Sequence, residues 1–447
     1  MMGDSGRFNN LHPGLSHDEA LRILALPVEQ LESGSDRYMA AAHMINFPGQ
    51  RSEQALLNLL DDDDDDSQPT RLARRKAVEV LARLGCKDAI PSIGSCLLSE
   101  DHYLVENAAW ALQQLGCRDQ HILNQMIMLL SDTGQNRRIL AQSLAGLGVI
   151  EALPAIELLQ DDEVPGVRGA ALAAVATLSG SHERVSELAE HLFLANQMDR
   201  QSAIQDVINS RAAELLPQVL QAPVSSVFRL RALRLLWPEA EPLHQGLSLL
   251  ETLDRLLLDQ PEDVQVVHRY DEVPEISFLI NELFGTDFSR CYLALQAVST
   301  HSGMSLWHLL EQRWLEEAHN DYGAHYFFLR LFGRIAGWGD AQDRVEDLCE
   351  SAIQNYRPQF VKSRPAAILS LLRLNPERLS SHLPDLLDAQ EESSWECRYT
   401  ALMAMQELVK QGSVNGVSGL AEMILSPDPD LYVESKRKQV RALLADL

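Results

Sequence analysis

The chain has 447 residues, 46% of them hydrophobic, and a formal charge of −26 at pH 7. That length and apolar content allow two or three ordinary domains or one extended repeat array. The negative field repels phosphate backbones and anionic lipid, which argues against nucleic acid and membrane surfaces as partners, and no apolar run reaches the ~18 residues of a membrane span.

Residues 1–19 read as a polar extension, MMGDSGRFNNLHPG at its start lacking the apolar core of a signal peptide. Cys86, Cys96, Cys117, Cys291, Cys349 and Cys397 are scattered without a CxxC pair. They are expected as free thiols in a reducing cytoplasm.

From residue 20 onward, helical apolar periodicity is punctuated by Gly, Pro and Asp, and no segment reads as strand-rich. The periodicity repeats itself. Counting from Arg37, apolar or small residues follow at Ala40, Met44 and Phe47; from Arg74, at Ala77, Leu81 and Leu84. The same frame fits Arg137, Arg168, Arg200 and Arg229. Successive origins from 37 through 229 lie 29 to 37 residues apart, the length of a helical hairpin. Between Arg37 and Arg74 falls the run Asp61 to Asp66, expected as a solvated loop.

One repeat has Val105 where the arginine should stand, within YLVENAAWALQQLG (Tyr103 to Gly116). At ~100° per residue, Trp110 falls roughly opposite the Ala108/Leu112/Leu115 stripe, with Glu106 and Asn107 also off it. A tryptophan so placed stacks on a flat ligand, enters a partner, or packs on a neighbouring repeat.

Between Trp237 and Phe288 the frame lapses, and it returns weakly at Arg290 and Tyr326 and clearly at Arg364 and Arg398. Pro91, Pro154, Pro217 and Pro384 each precede an origin by 12 or 14 residues and mark the start of the other helix of a unit. One hairpin cannot bury its apolar stripe alone, so the units must stack. The expected fold is all-α, a curved HEAT-like α-α superhelical solenoid with two arms joined by an irregular segment. The arms span 20–237 and 289–447, with 238–288 as connector. The tail DPDLYVESKRKQVRALLADL is expected as a cap helix with its basic residues outside.

The arginine ladder is expected to be structural, each guanidinium bonding an aspartate of the turn before it, as Asp132 with Arg137 or Asp162 with Arg168. The alternative is that some arginines hold a ligand's carboxylates. Where the ladder arginine is missing, Asp101 and Asp321 lose their usual cation and become candidates for proton exchange, although Arg330 is in reach of Asp321. DYGAHYF gathers Asp321, Tyr322, His325 and Tyr326 within six residues, supplying an acid, a phenol and an imidazole to one wall. The alternative is a capping Asp321 with packing aromatics. No GxSxG, Walker-type loop or HExxH is present, and no metal site is expected.

The repeats, with YLVENAAWALQQLG and the companion VRGAALAAVATL from Arg168, resemble the E/F-type phycobilin lyases of cyanobacteria, strongly over 20–240 and more loosely beyond. Two arms in one chain are similar to single-chain phycoerythrin-specific lyases and lyase-isomerases. The resemblance implies an enzyme without a permanent cofactor. Its substrate would be phycoerythrobilin, a linear tetrapyrrole joined to a cysteine of a phycobiliprotein subunit, phycoerythrin α being the expected acceptor. Isomerisation to phycourobilin is a further expectation, but the Asn-His-Cys motif of some isomerase components is absent. In this reading Arg137 and Arg168 hold propionates and Trp110 packs on a pyrrole ring. Asp321 or Glu106 contacts the pyrrole N–H groups, Tyr322 or His325 relays the proton, and Asn107 and Tyr326 complete the bilin-binding wall. The rival reading is a non-enzymatic HEAT scaffold or chaperone that binds a protein partner.

Overall fold

The computed structural model describes residues 14–62, 65–238, 242–244, 246–412 and 420–445. The regular structure is helical, as the apolar period requires, apart from a short antiparallel pairing of Leu243–His244 with Leu247–Ser248. Among the described residues, no helix is long and apolar enough to cross a membrane. Backbone contacts divide the chain into two compact units, Met1–Leu188 and Ala189–Leu447.

In the first unit the helices Asp36–His43, Gln68–Leu84, His102–Leu115, Arg137–Leu147 and Pro165–Ser179 pack each against the next. Shorter helices alternate with them, and Pro91 and Pro154 lie in the first turns of Ile90–Ser95 and Leu153–Glu157. Proline costs nothing there, because its missing N–H has no helical acceptor. The frame positions Ala77, Leu81, Leu140, Leu144 and Ala171 are all core. His102–Leu115 ends at Gly116 with φ +68, a left-handed cap that lets the Cys117 N–H bond the Leu112 carbonyl at 2.9 Å.

In the second unit Gln197–Asn209 packs on Ser226–Leu236. Further along, Phe288–Val298, Tyr322–Arg334, Ser363–Leu374 and Trp395–Lys410 stack in chain order and are closed by Leu431–Ala445. Pro217 and Pro384 again open short helices.

The ladder arginines are structural, but they reach forward rather than back. Arg137 pairs with Asp162 at 2.6 Å, and Asp162 belongs to the turn of the following repeat. Arg37 likewise reaches Asp65 at 2.6 Å, Arg229 reaches Asp259, Arg364 reaches Glu392 at 2.9 Å, and Arg398 reaches Asp428 at 2.8 Å. What each arginine takes from the turn before it is a backbone carbonyl: Leu26 for Arg37, Leu220 for Arg229, Glu392 for Arg398. Arg168 follows this rule, donating to the Asp162 carbonyl at 2.7 Å while that residue's carboxylate serves Arg137. Arg37, Arg229, Arg364 and Arg398 thus each tie an earlier carbonyl to an acid of a later turn, using the fork geometry that a lysine lacks; Arg74 keeps only the backward bond, to the Leu59 carbonyl, and Arg200 reaches much further, to Asp287.

Two further expectations are corrected. The aspartate run is not wholly solvated, because Asp65 is drawn into the ladder by Arg37, Thr70 and Ser67; Asp63 and Asp64 lie outside the described residues. The tail helix keeps Lys438 outside as expected, but not all of its basic residues. Lys436 and Arg437 are buried, Lys436 bonding Asp254, Gln406 and Gln439 and Arg437 the carbonyls of Ser426 and Leu387. Their buried charges are compensated by acceptors distant in sequence.

Candidate functional site

Asp321 caps the Tyr322–Arg334 helix, its Oδ1 accepting from the Gly323 and Ala324 N–H groups at 2.8 and 2.7 Å. This is the standard use of an N-terminal aspartate, and it leaves Oδ2 without a hydrogen bond among the described residues. Arg330 does not pair with it; among the described residues, Nε and Nη2 of that buried arginine have no hydrogen-bond partner. The other unladdered aspartate behaves differently. Asp101 takes a two-point ion pair from Arg75, 2.7 Å on each arm, and caps its own helix. The expectation that Asp101 lacks a cation is therefore wrong, because Arg75, next to the ladder position Arg74, replaces it.

The helix that Asp321 opens brings Tyr322, His325 and Tyr326 together, in three different environments. Tyr322 is 54% exposed. His325 is 2% exposed, its ring between Trp314 at 5.0 Å and Phe360 at 4.4 Å. Burial, with the charges of Arg357, His319 and Lys362, pushes its pKa down to about 4, so the imidazole is neutral near pH 7, with no partner for Nδ1 among the described residues. The Tyr326 hydroxyl points inward and donates to Asp259. Asp259 also receives Tyr292 at 2.9 Å and the ladder arginine Arg229. Burial raises the Tyr326 pKa well above the phenol range. Tyr326 therefore belongs to a closed internal network, and Tyr322 presents the open phenol.

A residue that sequence reasoning passed over completes this wall. Lys362 Nζ lies 4.2 Å from the Tyr322 ring centre, 4.8 Å from Phe288 and 5.0 Å from Tyr326. The lysine is 8% exposed and Nζ has no hydrogen-bond partner among the described residues. Burial lowers its pKa to about 8, against the opposing pull of Asp259, Cys291 and Asp321. Its only signal in the sequence is position: Lys362 stands two residues before the origin Arg364, as Phe288 stands two before Arg290.

The remaining candidates lie in the first unit. Trp110 is half-buried and packs against the core cluster, so the ring does not look away from the core as its helical angle predicts. Its partly exposed side remains available. Asn107 donates to the Arg75 carbonyl at 3.2 Å, and Glu106, half-buried, forms no hydrogen bond or ion pair among the described residues. Arg137 and Arg168 meet at Asp162, where the Arg137 guanidinium is already ion-paired. The chain therefore offers a Trp110/Glu106 wall in one unit and an Asp321/Tyr322/Lys362 wall in the other. The second has the greater chemical capacity: an uncompensated amine, an open carboxylate oxygen and an exposed phenol.

A family model described as PBS lyase HEAT-like repeat matches residues 73–99. Over 375 residues the chain is 44% identical to bilin biosynthesis protein CpeY of Synechococcus sp. (strain WH8020), covering 84% of this chain and 90% of that protein. It is 34% identical over 426 residues to uncharacterized phycocyanin operon protein Y of Pseudanabaena tenuis, covering 95% and 97%. Phycocyanobilin lyase subunit alpha of Thermosynechococcus vestitus is 31% identical over 200 residues, covering 41% of this chain and 72% of that subunit.

Proposed function

The chain belongs to the E/F-type phycobilin lyase family, and from that membership we propose that it joins phycoerythrobilin by a thioether to a cysteine of the phycoerythrin α subunit, in the cytoplasm. The 44% identity to a bilin biosynthesis protein over 90% of that relative carries the reading. In the reaction the acceptor's thiol adds to the ring-A ethylidene group of the bilin. The S–H bond and the ethylidene π bond break, a carbon–sulfur bond forms, and the proton lost by the thiol is matched by one taken up by the conjugated system. The enzyme's part is to hold bilin and acceptor in register and to relay the proton, its donor group being restored by the one the thiol releases.

The chain's own cysteines support a nucleophile that comes from the acceptor. All six are free and buried, and burial pushes the thiols of Cys96, Cys291 and Cys397 up to about 12, far from the thiolate form. Of the residues expected to act, Asp321 has a carboxylate oxygen to offer the pyrrole N–H groups. Tyr322 is the exposed donor that fits proton delivery, and Trp110 is the ring that fits stacking. His325 is assigned to packing, because its neutral, enclosed imidazole has no path to a ligand. Arg137 and Arg168 are assigned to the ladder.

Titrating the protein into phycoerythrobilin tests the first step. A saturable shift of the bilin absorbance with a rise in fluorescence is expected, and an unchanged spectrum would overturn the reading. A blue-shifted phycourobilin product on the acceptor would add isomerisation to the activity; a phycoerythrobilin product would restrict it to attachment.

A further inference from the structure

Two of the chain's six lysines are buried, Lys436 and Lys362. Lys436 is satisfied by three acceptors. Lys362 has three ring faces within about 5 Å and, among the described residues, no hydrogen bond or ion pair, Asp259 and Asp321 acting on it only from beyond ion-pair distance. A buried ammonium without a hydrogen bond is costly, and cation–π contacts recover only part of the lost hydration.

Its position sharpens the imbalance. Phe288 and Tyr322 are the first residues of their helices, and Lys362 immediately precedes Ser363–Leu374. Three helix N-termini, each with partial positive charge, therefore border one ammonium. The caps Asp287 and Asp321 face their own helices: Asp287 is further engaged by Arg200 and His268, and neither carboxylate reaches Lys362 as an ion pair among the described residues. An anion placed beside Lys362 would gain from the ammonium and from the helix ends together.

Of the three rings on Lys362, Tyr322 is the exposed one. That ring is more than half exposed, and its hydroxyl forms no hydrogen bond among the described residues, so little besides the cation–π contact holds it. Tyr322 is therefore the ring with room to rotate off Nζ, whereas Phe288 and Tyr326 are buried.

We propose that Lys362 is the anchor for a carboxylate of a flat conjugated ligand, a bilin propionate on the reading given above, and that Tyr322 is the ring that moves aside to admit it. The assignment replaces the ladder arginines in that role with a cation that has no structural partner to lose. It also places the bound ligand next to Asp321 Oδ2 and the Tyr322 hydroxyl.

The test compares wild type, Lys362→Met and Lys362→Arg for binding of phycoerythrobilin and of its dimethyl ester, in which the propionate charges are removed. Wild type should bind the free acid at least about 10-fold more tightly than the ester, the scale of one charge-assisted hydrogen bond. K362M should lose that preference and bind both forms equally, and K362R should recover part of it. Thermal unfolding should show K362M at least as stable as wild type, which separates the loss from misfolding. Tight free-acid binding by K362M, or equal binding of acid and ester by wild type, would overturn the assignment and leave the lyase reading standing. No bilin binding by wild type would remove both. Reductive methylation gives a readout independent of bilin: Lys362 should label faster in Tyr322→Ala than in wild type, and equal labelling would refute Tyr322 as the covering ring.

Discussion

Asp259 and Arg229 form an ion pair in which each side chain is 1% exposed, and the Tyr292 and Tyr326 hydroxyls donate to the same carboxylate. Asp259 holds the left-handed conformation, φ +42, directly after the Leu249–Leu258 helix. One residue thus ends a helix, neutralises a ladder arginine and orients Tyr326 beneath Lys362.

Asp259→Asn keeps a residue that tolerates the left-handed backbone, removes the charge and turns one acceptor oxygen into an amide donor. It leaves the Arg229 guanidinium buried and uncompensated, for which a loss of ~3–5 kcal/mol is expected in urea unfolding. Tyr326→Phe removes a single hydrogen bond and should cost ~1–2 kcal/mol while leaving bilin attachment near wild type. Lost attachment at normal stability would instead make the Tyr326 hydroxyl functional.

The forward ladder predicts coupling between Arg137 and Asp162. Single replacements Arg137→Met and Asp162→Asn should each destabilise, and a double-mutant cycle should return ~1–3 kcal/mol of interaction. Zero coupling, together with lost bilin binding in R137M, would restore Arg137 to the ligand site.

His325 should govern stability on the acid side. Its folded pKa of about 4 lies below the ordinary histidine value of 6.5, so between those values the unfolded chain binds a proton that the folded chain refuses. Stability is therefore expected to fall as pH drops from 6.5 to 4, by ~3 kcal/mol for a full shift. His325→Phe, which keeps an aromatic ring between Trp314 and Phe360, should flatten that limb of the pH–stability curve. Lys362, lowered to about 8, acts in the same sense at higher pH: stability should rise from pH 8 toward 10.5, and the rise should vanish in K362M.

Trp110 has one face on the core and one side partly open. If the open side stacks on a pyrrole ring, Trp110→Leu should weaken bilin binding several-fold while changing stability by only ~1–2 kcal/mol. Unaltered binding would make the ring a packing residue alone.

What the sequence revealed and what it hid divide along a physical line. Helical spacing from Arg37 to Arg398, the helix-opening prolines and the Asp321 cap are local features, each settled within a turn or two of chain. The bonding direction of the ladder is not local, because the acid that satisfies Arg137 lies 25 residues downstream and a nearer aspartate, Asp132, competes for it on paper. Lys436 and Arg437 look like surface charges until Asp254 and the Leu387 carbonyl are brought to them. Lys362 was invisible for the same reason: its neighbours Phe288, Tyr322 and Tyr326 come from two other repeats. Trp110 shows the limit of a helical-wheel angle, since a large ring can leave the apolar stripe and still reach the core.

Covalent transfer itself is the most direct measurement. The purified chain, phycoerythrobilin and apo-phycoerythrin α subunit are incubated together, and bilin remaining on the α subunit after denaturing electrophoresis is read by zinc-enhanced fluorescence. Adduct at one acceptor cysteine, forming much faster with the chain than without it and slowed by Asp321→Asn and Tyr322→Phe, is the predicted result. Adduct that forms no faster with the chain than in its absence would contradict the account.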